Sequence, residues 1–360
     1  MNKDLLYFSK NSLFLICSCI FCVICLAKPQ LTGLAFYNGL ENCYYKVIPS
    51  IFPLLVVTGM LYSLPYSRFL GIVFVPYLKL LGIKSKYAGT AILFSLIGGF
   101  AVFSNIISSA IKSNQLTKNE AEILLCIGVS TGPAFIIATV GGVLLNNITQ
   151  GVFLFLSLTL ASFISAIIIK SICFKKENSS TSIDVTLQSV SPLQAFVTAI
   201  KNAVTACLNM CGFVIFFNIL TSLLEKSLGE TAKLVVFSSL EVTKATIYAT
   251  TLNGNFKVIA IIFSLSVVSF SIIMQSKSLL PENISFIPFY ISRIFHFPLS
   301  CGIYFILCHI FPLVQTVSIA KIKPLRFDLF TSIIFIVMVF SMLYECTSNF
   351  FNSNKVFTKK

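Results

Sequence analysis

Two charged side chains interrupt an apolar run in the second half of the sequence. Glu241 and Lys244 lie in FSSLEVTKATIYA, residues 237–249, and their spacing of three places them on one face of a helix. Ionisable residues inside a membrane are costly to desolvate, so a binding or proton-carrying role is the first hypothesis for them. The alternative is an internal ion pair that steadies a re-entrant turn near the membrane surface. Both interpretations stay open on the sequence alone.

The first half of the sequence offers exposed backbone instead of charge. In STGPAFIIATVGG, residues 130–142, Gly132 and Pro133 interrupt a helical run, because proline lacks a backbone donor and clashes one turn back. Ser130 and Thr131 are natural caps for the half-helix that starts there. Open backbone at membrane depth is tolerated only where it lines a cavity or is buried in protein. The free amides and the helix dipole would attract an anion.

Long apolar runs must position these residues. The chain is 56% hydrophobic and only 11% charged, whereas soluble domains are about a quarter charged. At about 20 residues per crossing, the sequence predicts an all-α polytopic membrane protein with about 8–10 transmembrane helices, some of them broken or re-entrant. The candidate spans lie near residues 11–28, 46–64, 86–110, 121–145, 149–172, 202–224, 234–252, 256–276, 287–313 and 328–345.

Charge and cysteine content exclude several functions. The net charge of +14 is spread over short segments between the apolar runs, which indicates membrane topology and contact with anionic lipids and argues against nucleic acid binding. The twelve cysteines match no zinc signature. The sequence has no HExxH motif and no Ser-His arrangement. We therefore expect no enzymatic activity, no cofactor and no metal.

A short internal echo suggests that the protein is built twice. AILFSL at residues 91–96 recurs as AIIFSL at residues 260–265, 169 positions later. Both copies lead into small and polar residues, which are Gly99, Ser104 and Asn105 after the first copy and Ser269, Ser271 and Gln275 after the second. Two similar halves are the layout of secondary transporters, whose substrate sites lie near the bilayer midplane and use broken helices.

The polar segment FKKENSSTSIDVTLQSVSP separates the two halves. The expected organisation is an N-terminal transmembrane helix in residues 1–40, a first repeat in 41–173, the linker in 174–192, a second repeat in 193–315, and a C-terminal transmembrane helix and tail in 316–360. Two further expectations concern single motifs. Thr117 and Glu120 predict a capping box, and Arg293, beside a helix end, is expected to snorkel to the membrane surface.

Several segments together resemble the YlbJ-type sporulation integral membrane proteins of the nucleoside-recognition, or Gate-domain, group. The segments are VIPSIFPLLVVTGML (47–61), GGFAVFSNIISSAIKSNQLTKNEAEILL (98–125), STGPAFIIATVG (130–141), SLEVTKA (239–245) and SFSIIMQS (269–276). The sequence departs from the family pattern in three informative places. The glycine motif at Gly99 lacks the usual proline, and the Asn that often precedes the Ser-Gly-Pro element is replaced in GVSTGP, residues 128–133. Lys244 stands where a small polar residue is expected.

The resemblance implies two Gate-like halves in a multi-pass protein of endospore-forming bacteria. Such proteins are made in the mother cell, placed in the membrane around the forespore, and associated with moving dipicolinic acid toward the forespore. We therefore expect a transporter of a small anionic solute, with Glu241 as a candidate carrier of a coupling proton. The expected substrate-binding residues are Gly99, Ser104, Asn105, Ser130, Thr131, Gly132, Pro133, Glu241, Thr243, Lys244, Ser271 and Gln275.

Two other functions remain open at this point. One is a non-transporting membrane scaffold for spore envelope assembly, and the other is a Gate-type nucleoside transporter. The expected partners are a small anionic solute and membrane lipids, with no nucleic acid. Homo-oligomers and other sporulation membrane proteins are further candidate partners.

Overall fold

The computed structural model describes residues 3–64, 67, 69–85, 87–128, 131–174 and 191–311. Every regular element in these ranges is helical, so the predicted all-α polytopic fold is confirmed. The α-helices are α1 Lys3–Ala27, α2 Pro29–Asn42, α3 Ile48–Ser63, α4 Val75–Leu81, α5 Ala88–Lys112, α6 Lys118–Leu125, α7 Ile148–Cys173, α8 Pro192–Leu224, α9 Glu230–Leu240, α10 Val242–Thr250, α11 Gly254–Val267, α12 Phe270–Leu279 and α13 Ile287–Ile310. Two π-helices, Cys43–Val47 and Ala134–Leu144, and two 3-10 turns, Ile72–Phe74 and Glu225–Ser227, complete the described part.

Five segments of the described chain are long and apolar enough to cross a membrane. They are Ala88–Lys112, Ile148–Cys173, Pro192–Ser227, Phe256–Leu279 and Ile287–Ile310. A sixth span results if the bent pair Leu15–Ala27 and Pro29–Tyr45 is taken as one. Large apolar side chains on these helices are exposed, as expected for surfaces that face lipid. The chain is a multi-pass membrane protein.

The N-terminal region differs from the single transmembrane helix expected in residues 1–40. Helix α1 ends at Ala27, and α2 begins at Pro29 after a bend of 101°. Proline at the first position of a helix loses no intrahelical bond, so Pro29 starts a new helix and cannot continue the old one. The expected C-terminal helix at 328–345 lies outside the described residues, as does most of the 174–192 linker.

Four of the predicted spans are interrupted helices. The span 86–110 is broken within α5 at Gly99, and the span 121–145 contains α6, which ends at Leu125, and the π-helix Ala134–Leu144. The span 234–252 is divided at Glu241, between α9 and α10, and the span 256–276 at Val268, between α11 and α12. The spans 121–145 and 234–252 contain no helix of full length, whereas Ala88–Lys112 and Phe256–Leu279 remain long and apolar enough to cross a membrane.

The backbone repeats with the spacing of the two sequence copies. Helix α5 is broken at Gly99 (φ 72°, ψ −166°), and α11 ends where Val268 adopts φ 56° and ψ 100°. Each break is the eighth residue after the first alanine of its copy, 91 to 99 and 260 to 268. The same separation of 169 relates the ends of α4 and α10, at 81 and 250, and the starts of α6 and α13, at 118 and 287. The domain boundaries themselves remain a prediction.

The two halves are held together along several helices. Helix α3 packs against α8, and α5 packs against α12, so that corresponding helices of the halves meet. Small residues on α8 permit a close approach, since a Cβ on Gly59 would lie 3.5 Å from the Ala199 Cβ. An extensive contact between α7 and α13 adds to this interface.

Candidate functional site

The break of α5 lies directly against the backbone that precedes the π-helix Ala134–Leu144. A Cβ placed on Gly99 would lie 2.6 Å from the Gly132 amide nitrogen, so the two backbones touch. The Phe100 ring covers Gly128 and packs against Phe289, with 5.1 Å between the ring centroids. We call this contact the crossing, and its residues are Gly99, Phe100, Gly128, Gly132, Phe289 and Arg293. It joins both predicted glycine elements of the first half to α13 of the second half.

Arg293 binds backbone carbonyls beyond the end of α6 at the crossing. Its Nη2 donates to the Cys126 carbonyl at 2.7 Å, its Nη1 to the Gly128 carbonyl at 3.5 Å, and its Nε to the Ser292 hydroxyl at 3.1 Å. The guanidinium carbon lies 4.6 Å from the centroid of the Phe289 ring. The residue is only 7% exposed, so the expectation that Arg293 snorkels to the membrane surface is wrong. The carbonyls left free at the end of α6 draw the cation inward.

Local capping fixes the start of α6. Thr117 Oγ1 accepts from the Glu120 amide at 3.3 Å, and Glu120 Oε2 accepts from the Thr117 amide at 3.0 Å, so the predicted capping box is confirmed. Two residues after Glu120, the buried Glu122 accepts from the Ser285 amide at 2.9 Å. The two acids therefore anchor α6 to the rest of the molecule.

The first predicted half-site lies at the crossing. Thr131 Oγ1 is buried and has no hydrogen-bond partner among the described residues. Gly132 O accepts from the Phe135 and Ile136 amides at 3.1 and 3.2 Å, so the π-helix after Pro133 starts from this carbonyl. Ser130 lies outside the described residues. The crossing thus brings Gly99, Thr131 and Gly132 together.

The remaining predicted residues of α5 are already engaged or half-buried. Ser104 Oγ donates to the Phe100 carbonyl at 2.9 Å within the buried face of the helix. Asn105 lies next to it and is half-buried, and its carbonyl accepts from the Ser109 hydroxyl at 3.0 Å. Ser104 therefore supports the helix just beyond the break at Gly99.

The second break presents buried hydroxyl groups. Ser266 and Ser269 flank Val268, both are fully buried, and neither Oγ has a hydrogen-bond partner within the described ranges. Ser269 is the N-cap of α12, yet its side chain makes no capping bond. The first amides of α12 also lack intrahelical acceptors. Further along α12, Gln275 Nε2 donates to Ser271 Oγ at 3.1 Å. Ser266 is absent from the residues predicted from the sequence, because no local pattern marks the break that it precedes.

Glu241 and Lys244 do not form an ion pair with each other. Glu241 is the buried N-cap of α10, and its Oε2 accepts from the Lys244 amide at 2.7 Å. The Lys244 ammonium binds Glu225 at 2.8 Å and the Ser222 hydroxyl at 3.0 Å, above the Phe237 ring. Thr243, half-buried, also donates to the Glu241 carboxylate. The spacing that suggested a pair instead reflects an N-cap and its third helical residue.

The cap predicts how Glu241 variants behave. Glu241→Ala removes the acceptor for the Lys244 amide and should lower the free energy of unfolding by about 1 kcal/mol, as N-cap deletions do. Glu241→Gln keeps a side-chain oxygen in that place and should retain most of the stability. Thermal unfolding of the detergent-purified proteins measures both. Equal losses of stability in the two variants would show that the negative charge of Glu241, and not the capping hydrogen bond, stabilises the protein.

The described residues form no metal centre. No cluster of three or more His, Cys, Asp or Glu residues that could hold a metal ion occurs in the part of the chain that the structure describes. The polar groups at the crossing and at the second break are hydroxyls, backbone groups and one guanidinium. Hydroxyl, amide and guanidinium donors of this kind are the groups that hydrogen-bond anions.

Comparison with known proteins gives one informative match. A stretch of 129 residues, 36% of this chain, is 23% identical to the sporulation integral membrane protein YlbJ of Bacillus subtilis (strain 168). The chain is similar to YlbJ. The resemblance expected from the sequence is thereby confirmed, although the match spans only 32% of the length of YlbJ. No family model and no solved structure matches the chain.

Proposed function

We propose that this chain transports a small anionic solute across a membrane during endospore formation, with dipicolinate as the first candidate. The observation that carries the proposal is the pair of breaks at Gly99 and Val268, which occupy the same position in the two copies of the repeat. Interrupted helices cost backbone hydrogen bonds in a membrane, and transporters use them where solutes bind. A scaffold has no need of matched breaks in its membrane helices.

The chemistry of the second break supports an anion as the solute. Ser266, Ser269 and the first amides of α12 are donors, and the two hydroxyls lack partners among the described residues. Buried polar groups are rarely left unsatisfied, because each one costs about 1–3 kcal/mol. A bound carboxylate would accept from such groups, with the positive end of the α12 dipole behind them.

The similarity to YlbJ supports a setting for the proposed transport. YlbJ is named as an integral membrane protein of sporulation. We extend this to the present chain and propose that it works in the mother-cell membrane that surrounds the forespore. Dipicolinate is a small planar dicarboxylate, which fits the donor-rich breaks.

The dipicolinate content of spores tests this proposal in the organism that encodes the protein. Deleting the gene should yield spores with a strongly reduced dipicolinate content, and dipicolinate added to the sporulation medium should not restore it. The wild-type gene and the Gly302→Ala variant should both restore it, because a Cβ on Gly302 meets no atom within 4 Å. A normal dipicolinate content in the deletion strain would argue against the proposal.

A further inference from the structure

We propose that Arg293 is the cation that recognises the carboxylate of the transported solute. This inference rests on the proposed transport function and assigns its charge recognition to a residue on α13. Lys244 is the competing candidate, since the sequence places it in an apolar run beside a helix break.

The hydrogen bonds of Arg293 leave part of its guanidinium free. A guanidinium carries five N–H donors, and three of them are used, by Ser292, Cys126 and Gly128. The bond to Gly128, at 3.5 Å, is at the limit of hydrogen-bond length. Two donors therefore have no acceptor among the described residues. A carboxylate takes two parallel donors from one guanidinium.

The charge of Arg293 is also uncompensated. Arginine is rarely this deeply buried unless it is paired, and Arg293 forms no ion pair with any carboxylate in the described ranges. The carbonyls at the end of α6 and the Phe289 ring stabilise a cation, yet they carry no net charge. The site therefore favours a small anion as the missing partner.

Lys244 differs in each of these respects. Its ammonium is bound to Glu225 at 2.8 Å, so its charge is already neutralised. Its side chain is 20% exposed and that of Glu225 is 49% exposed, so the pair lies at the surface of the protein. Surface pairs of this kind contribute about 0–1 kcal/mol and do not demand a further anion.

Position at the crossing links Arg293 to the transport pathway. Two of its acceptors, the carbonyls of Cys126 and Gly128, lie just beyond α6, and Gly132 touches the break of α5. Thr131 Oγ1, buried and without a partner among the described residues, is next to Gly132 in the chain. An anion that drew the guanidinium toward itself would change its hold on the two carbonyls. The Phe289 ring, which contacts both the guanidinium and Phe100 of α5, would then couple binding to the broken helix.

Equilibrium binding of radiolabelled dipicolinate tests the assignment. The protein is purified into nanodiscs of phosphatidylcholine only, so that anionic lipid cannot occupy the site. Arg293→Gln should weaken dipicolinate binding by about tenfold or more, because a hydrogen bond to a charged group is lost. Arg293→Lys should weaken it by less. Lys277→Gln, at an exposed position on α12, is the control and should bind like the wild type.

A second measurement leaves Arg293 in place, in case the substituted proteins fail to fold. The sequence contains three arginines, at 68, 293 and 326. In the Arg68→Lys/Arg326→Lys protein, phenylglyoxal can modify arginine only at 293. Dipicolinate should slow this modification several-fold, whereas its uncharged diamide should not.

The outcomes separate this inference from the proposed function. Unchanged dipicolinate binding by folded Arg293→Gln, no protection of Arg293, or loss of binding with Lys244→Gln but not with Arg293→Gln would each overturn the assignment while leaving transport intact. Absence of dipicolinate binding by the wild type would overturn it as well. Arg293-dependent binding without uptake into proteoliposomes would support the site and contradict transport.

Discussion

Gly99→Val is expected to abolish solute uptake and to destabilise the protein strongly. At φ 72° and ψ −166°, Gly99 occupies a region of backbone conformation that is essentially restricted to glycine. Forcing a side chain into it costs about 1–3 kcal/mol. The added Cβ would also lie 2.6 Å from the Gly132 amide nitrogen, so the loop must move. We expect a total loss above about 2 kcal/mol, because strain and displacement add.

The control for Gly99 is a glycine that has room for a side chain. Gly302→Ala in α13 meets no atom within 4 Å, and alanine in a helix interior should stabilise it by about 0.5–1 kcal/mol relative to glycine. Thermal unfolding and proteoliposome uptake are measured on both variants. If Gly99→Val unfolds at the wild-type temperature and still transports, the break at Gly99 is not part of the mechanism.

Ser266→Ala/Ser269→Ala is expected to remove transport while leaving stability intact. Neither hydroxyl has a hydrogen-bond partner in the part of the chain that the structure describes. Removing a buried unsatisfied hydroxyl by a serine-to-alanine substitution should therefore be neutral or slightly stabilising. If the hydroxyls bind an anion, each lost bond removes about 1.5–3 kcal/mol of binding free energy, which is about tenfold or more in affinity. Stability and transport should thus change independently.

The matched control is a double serine variant at exposed positions. Ser171→Ala/Ser227→Ala makes the same chemical change outside the breaks. It should keep both the thermal stability and the affinity for dipicolinate, measured as the concentration that gives half-maximal uptake. Were Ser266→Ala/Ser269→Ala to behave like this control, the second break would not be a binding site.

The helical membrane fold was predictable because it depends on local sequence. Apolar runs of membrane length and caps such as Thr117 with Glu120 determine elements from neighbouring residues alone. The break near Gly132 could also be foreseen, since Pro133 cannot continue a helix. These features need no knowledge of what packs against them.

The breaks in α5 and before α12 depend on tertiary contacts. Nothing in the local sequence predicts a break at Val268. A β-branched residue at positive φ is strained, so Val268 is held in this conformation only by its surroundings. Position 99 carries glycine, which permits the break but does not require it. The sequence repeat therefore indicates where the two breaks lie, and the structure shows their backbone conformation.

Long-range pairing explains what the sequence could not reveal about the charged residues. Lys244 reaches Glu225 on a preceding turn, which a helical spacing rule does not consider. Arg293 binds carbonyls 165 and 167 positions earlier in the chain. Its burial follows from the packing of α13 against α6, and no local pattern encodes that packing. The one side chain of the predicted span 287–313 that the sequence places at the membrane surface, Arg293, is therefore buried.

Uptake of radiolabelled dipicolinate by proteoliposomes tests the central claim most directly. The purified wild-type protein should accumulate dipicolinate above protein-free liposomes, unlabelled dipicolinate should compete, and uridine should neither compete nor enter. Liposomes that contain Gly99→Val should match protein-free ones if folded variant protein is present. Wild-type liposomes that take up no dipicolinate, or that take up uridine instead, would contradict the account.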